Sequence, residues 1–70
     1  MKTGDAAIGN IVRYIGPEGK YRGAEFQVTR VMDSMIELEP LTIDGSRDPR
    51  KQLVYVRLGT MPAQWWVVMK

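Results

Sequence analysis

Residues 52–58 read QLVYVRL and are followed by Gly59-Thr60. Side chains alternate across a strand, so Val54, Val56 and Leu58 fall on one face and Leu53, Tyr55 and Arg57 on the other. The run is too short for a helix that could bury one face, and its β-branched and aromatic content suits a pleated surface. The same character recurs along the chain in residues 10–15 (NIVRYI), 24–32 (AEFQVTRVM), 35–43 (MIELEPLTI) and 65–69 (WWVVM). No window carries apolar residues at i, i+3, i+4 and i+7 over a helix-length stretch. Gly9, Gly16, Gly19, Gly23, Gly45 and Gly59 cut the sequence into strand-sized pieces. The expectation is an all-β fold of five short strands.

The connections carry matching signals. Asp33-Ser34 suits a tight hairpin turn and Asp44-Gly45 a second turn. Pro40 lacks a backbone donor, which predicts an edge, a bulge or a bend. Residues 61–64, MPAQ, have room for one 3₁₀ turn, with proline suited to its start. At 70 residues and 8.0 kDa the chain buries only roughly 60% of its unfolded surface. It contains no cysteine and no histidine, so no disulfide, thiolate site or imidazole chemistry supports it. A compact core is then required, and a small barrel hides an apolar face and most strand edges better than a flat sheet. Residues 1–7 read as a flexible lead-in and residues 8–70 as a single domain. No apolar run suits a secretory leader and none approaches the roughly 20 residues of a membrane span, so a cytoplasmic protein without membrane contact is expected.

Ile8-Gly9-Asn10-Ile11-Val12-Arg13-Tyr14-Ile15-Gly16-Pro17-Glu18-Gly19-Lys20-Tyr21-Arg22-Gly23, with Phe26, Val28 and Val31 after it, resembles the KOW motif of SH3-like barrels. A glycine and a polar residue precede the first strand, a Gly-Lys loop follows, and a valine-bearing second strand comes next. Asn10 stands where the motif usually has aspartate, and Gly19-Lys20-Tyr21-Arg22-Gly23 is one residue longer than Gly-Lys-x-Gly. The likeness spans residues 8–39. It implies a small five-stranded SH3-like barrel with a short 3₁₀ turn before the last strand. It also implies Val12 and Tyr14 inside, with Ile11, Arg13 and Ile15 outside. The partner it implies is RNA or a nucleoprotein complex, met through the loops around Lys20-Tyr21-Arg22 and residues 47–51.

Parity assigns the other faces. Phe26 with Val28, and Ile36 with Leu38, are expected inside. Adjacent Trp65 and Trp66 must diverge in a strand. Parity with Val67 and Met69 places Trp65 inward and Trp66 outward beside Val68. An outward Trp66 with Leu53, Tyr55 and Val68 would form a protein-interaction or self-association surface. The other reading is that the lead-in or a loop covers it.

Catalysis finds no support. Ser34, Ser46 and the four threonines have no histidine to activate them. Glu37 and Glu39 alternate with Ile36 and Leu38 as on a solvated strand face. A hard-cation site at Asp44 and Asp48 would share one loop, but two carboxylates without further oxygen ligands are weak evidence for it. A non-enzyme without cofactor or metal is expected. Binding is better supported. The net charge is 10 − 8 = +2, and the basic residues gather in two connections, Lys20 and Arg22 in the first and Arg47, Arg50 and Lys51 in the third, with Arg13 outward nearby. Tyr21 between two cations suits base stacking beside phosphate contacts. Against this, Glu18, Glu25, Asp44 and Asp48 offset the same loops. Two functions stand open: a nucleic-acid-binding module, and a small protein-interaction adaptor, subunit or inhibitor that uses its apolar face, including with a second copy of itself.

Overall fold

Asp33 adopts φ 51, and the two-residue turn it makes with Ser34 brings Met32 opposite Met35. This hairpin joins the two longest strands and organises the rest. The structure, a computed structural model, describes residues 7–69. These form β1 (Ile11–Tyr14), β2 (Glu25–Met32), β3 (Met35–Pro40), β4 (Val54–Arg57) and β5 (Trp66–Met69), with 3₁₀ turns at Gly19–Tyr21 and Met61–Trp65. Every pairing is antiparallel, in the order β4-β3-β2-β1-β5. The expected all-β class and the turn before the last strand are both present. The lead-in expected over residues 1–7 lies, up to residue 6, outside the described residues.

The sheet curls because β2 is bulged. Val28 pairs with Leu38, whereas Arg30 pairs with the next residue along β3, Glu37. Two residues of β2 therefore face one of β3, which bends the strand and increases its twist. Thr29 Oγ1 donates to the Glu37 carboxylate at 2.9 Å across the bulge. The inner surface formed by the bend is the core: Val12, Tyr14, Phe26, Val28, Ile36, Leu38, Val56 and Trp66 are all buried, with Leu58 and Ala63 completing it. The inward assignments read from parity in β2 to β4 hold, as does the placement of Val12 and Tyr14 that the family likeness implied, and Val54 packs partly buried against the same cluster.

The tryptophans are reversed. Trp66 is buried at 3% exposure and Trp65 is partly buried. The 3₁₀ turn continues through Trp65, so the strand begins only at Trp66. Pairing then decides the faces: Trp66 lies opposite inward Tyr14, and Val68 opposite inward Val12. Val67, on the other phase, is 42% exposed. Trp66 crosses Tyr14 and Phe26 edge-on, with ring centroids 4.8 and 4.9 Å apart.

All five strands are shorter than the runs read for them, β3 and β4 by the most. β3 stops at Pro40, beyond the last β3–β4 pair, Leu38–Val54, so no β4 residue needs its missing donor. Leu41 then makes a single bridge to Arg47 around the Asp44-Gly45 turn, with Gly45 at φ 89. Buried Asp48 receives the Arg50 backbone N–H at 3.0 Å and donates its own N–H to the Pro40 carbonyl at 2.9 Å. Residues 41–53 are therefore a long, internally bonded connection at the sheet end where the β1–β2 connection also lies. Leu41 N–H bonds the Glu25 carbonyl at 3.0 Å, which ties the two together.

Candidate nucleic-acid interface

The β1–β2 connection is the centre of the site. Glu18 and Gly19 carbonyls accept the N–H groups of Tyr21 and Arg22, and the Tyr21 carbonyl accepts that of Ala24. Gly23, at φ 80, turns the chain back so that its N–H reaches the Tyr14 carbonyl. Tyr14 also receives the Glu18 N–H on its phenol oxygen at 3.1 Å. Tyr21 is half-buried, edge-on to Tyr14 at 5.6 Å and to Phe26 at 6.1 Å. The aromatic ring that the sequence placed between two cations thus anchors the turn to the core. Lys20 extends its ammonium over that ring, 5.0 Å from its centre, an arrangement that favours a cation.

A groove opens on each side of this turn. The first, about 160 Å³, is lined by Tyr14, Glu18, Tyr21, Val54, Tyr55, Pro62 and Trp65, with Val56 and Trp66 at its base. Tyr55 is 52% exposed and its hydroxyl donates to Glu37 at 3.0 Å. The second, about 370 Å³, is lined by Arg13, Gly23, Ala24, Glu25, Lys51 and the Leu41, Thr42 and Ile43 stretch. Arg13 lies opposite Glu25 in the β1–β2 register and pairs with it at 3.1 Å.

The expected site residues therefore divide. Arg13 and Lys51 meet at one groove, which Gly23, the residue after Arg22, also lines. Lys20 and Tyr21 share the central turn. Arg47 approaches Glu39 at 3.9 Å, and Arg50 approaches Asp48 at 3.6 Å. The guanidinium ends of both pairs are solvent-exposed, although Asp48 itself is buried, and such pairs contribute little. Lys20, Arg22 and Lys51 have no ion pair among the described residues. Of the apolar set, Tyr55 lines the aromatic groove, Leu53 and Val68 are half-buried, and Trp66 belongs to the core. Trp65, Pro62 and Glu18 complete the aromatic groove and were missed. The signal for them is the proline-led turn before β5, read through to Trp65.

Hydrogen bonds from Thr29 and Tyr55 hold the Glu37 carboxyl below its ordinary range, and the same contact with Glu37 raises the Tyr55 phenol. Thr42 and the Ser46 backbone similarly lower Asp44. A carboxyl lowered by folding stabilises the fold above its unfolded pKa, and that contribution disappears as pH falls through the lowered value. Glu37→Gln is accordingly expected to flatten the acid side of a plot of urea midpoint against pH. An acid limb identical to that of the parent chain would assign the loss to other carboxyls.

Among the described residues, no group of three or more acidic side chains could hold a metal ion, and no helix is long and apolar enough to cross a membrane. Asp44 and Asp48 serve their own loop, accepting the Ser46 and Arg50 backbone donors respectively. No family model matches this chain, no curated protein matches it, and no solved structure matches its fold.

Proposed function

We propose that the protein is a binding module for single-stranded nucleic acid. The observation that carries this reading is the placement of the Lys20-Tyr21-Arg22 turn. Tyr21 lines the aromatic groove, and Gly23 and Ala24, which follow Arg22 directly, line the cationic groove. A single strand offers the two surfaces this arrangement needs, base faces for stacking and a chain of phosphates for neutralisation. Tyr55 and Trp65 take the stacking role, since Tyr21 is fixed edge-on against Tyr14 and Phe26. Lys20, Arg22, Lys51 and Arg13 take the phosphates, with Arg13 exchanging Glu25 for the ligand. A duplex keeps its bases stacked internally and presents a wide rigid cylinder, which fits a pair of small grooves poorly. The likeness to the KOW motif supports the same class of partner.

The test is binding of a uridine or thymidine tract, followed by tryptophan fluorescence across a salt series. Four neutralised phosphates on a single strand give a slope of log affinity against log salt of about −3. Replacing both Lys20 and Arg22 with alanine is expected to halve that slope while the urea midpoint stays near that of the parent. Salt-independent binding, or none at low salt, would overturn the reading and leave the aromatic groove to a polypeptide partner.

A further inference from the structure

We propose that Glu18 makes the aromatic groove a subsite that selects guanine; this deepens the single-strand reading and rests on it. The groove of about 160 Å³ holds the volume of about five water molecules, the scale of one planar heterocycle and far below that of a nucleotide pair. Its walls are mostly aromatic and apolar, and Glu18 is the one charged residue that lines it. The Glu18 backbone is pinned by its N–H bond to the Tyr14 phenol oxygen, which fixes the residue at the groove's edge. The carboxylate itself has no hydrogen bond or ion pair among the described residues. Tyr55, the other polar group near the opening, is committed to Glu37 and does not compete for Glu18.

An unpartnered carboxylate beside a base-sized slot reads the hydrogen-bonding edge of its occupant. Guanine presents N1–H and N2–H side by side, two donors for two carboxylate oxygens, which is the strong bidentate arrangement. Adenine and cytosine set one amine beside a ring nitrogen acceptor, whose lone pair opposes the carboxylate. Uracil and thymine place a single N–H between two carbonyls, with the same penalty. The stacking walls accept any base, so discrimination falls to Glu18. The cations of the turn and the second groove remain on the phosphates, so selectivity and salt dependence reside in different residues.

The experiment uses short uridine tracts that carry one central guanosine, adenosine, cytidine or inosine, titrated against the full chain. The guanosine tract is expected to bind about tenfold more tightly than the all-uridine tract, the scale of one good bidentate base contact. Inosine keeps N1–H but lacks the exocyclic amine, and loses most of that advantage. Glu18→Gln is expected to bring all the tracts to equal affinity with the salt slope of the parent chain. Glu18 is exposed, so the variant should keep its fold. Equal binding of every tract by the parent chain, with salt dependence intact, would overturn the role of Glu18 while leaving the single-strand reading in place. Preference for adenosine or cytidine would overturn it as well. Failure to bind any tract would remove both.

Discussion

Trp66→Ala is expected to leave the chain largely unfolded at room temperature, whereas Trp65→Ala is expected to keep it folded. Trp66 is 3% exposed and meets both Tyr14 and Phe26 edge-on at the centre of the core. Removing such a side chain costs about 3–5 kcal/mol, because the lost burial is compounded by a cavity that the sheet closes only in part. A domain of this length has a total stability of about 3–10 kcal/mol at ~0.05–0.15 kcal/mol per residue. A single core in so short a chain rarely supplies more than about 3–5 kcal/mol, so the substitution consumes most or all of it. Trp65 touches the core from one side only, with its ring 6.3 Å from Tyr14, and its loss corresponds to about 1–2 kcal/mol of burial. Urea denaturation followed by far-ultraviolet circular dichroism measures both. A larger loss at Trp65 than at Trp66 would contradict the register that pairs Trp66 with Tyr14.

The second large effect is expected at Gly16. This residue is buried where β1 ends, and a methyl group there would stand 2.8 Å from the Trp65 Cβ and overlap the Tyr14 phenol. Neither neighbour yields freely. The Trp65 backbone is held by the Ile15 N–H at 2.7 Å, and the Tyr14 oxygen is held by the Glu18 N–H. Crowding of this kind costs about 1–3 kcal/mol. Because Tyr14, Glu18 and Trp65 all line the aromatic groove, Gly16→Ala is expected to weaken oligonucleotide binding as well as lower the urea midpoint. Gly19→Ala provides the contrast: nothing lies within 4 Å of its added carbon, and its stability should change little. Equal behaviour of the two variants would contradict the close approach at Gly16.

These two sites also mark where sequence reading succeeds and where it stops. The inward residues of β2 to β4 were legible because polar and apolar positions alternate there, whereas in β1 Ile11 and Ile15 make the other phase apolar as well and only the family likeness favoured Val12 and Tyr14. Glu37 and Glu39 flank Leu38, and Tyr55 and Arg57 flank Val56, so only one phase buries the apolar set. β5 has no such contrast, because WWVVM is apolar on both phases. Its phase is set by where the Met61–Trp65 turn releases the chain and by its pairing with β1, a contact between residues far apart in sequence. The bulge at Thr29 was invisible for the same reason, since the extra residue is defined only against β3.

The candidate site was half legible. Composition located the two basic connections, and antiparallel topology brought them to one end of the sheet. Which cations carry a carboxylate was not readable: Arg13 meets Glu25 only because the β1–β2 register sets them opposite each other. The aromatic groove was hidden further, because it joins Tyr21, Tyr55 and Trp65 from three separate connections and strands. Misplacing Trp66 on the surface removed its neighbour Trp65 from consideration, although Trp65 is the residue the groove uses.

In the proposed complex one strand of nucleic acid lies across the Lys20-Tyr21-Arg22 turn, with bases on one side of it and phosphates on the other. A residue-by-residue record of backbone amide and indole N–H resonances, while a guanosine-containing uridine tract is added at low salt, tests this arrangement. Shifts are expected at residues 18–24, at Tyr55, at the Trp65 indole and at Lys51, with the Trp66 indole nearly still. Shifts confined to the outer face of β1 and β5, around Ile15 and Val67, would contradict it.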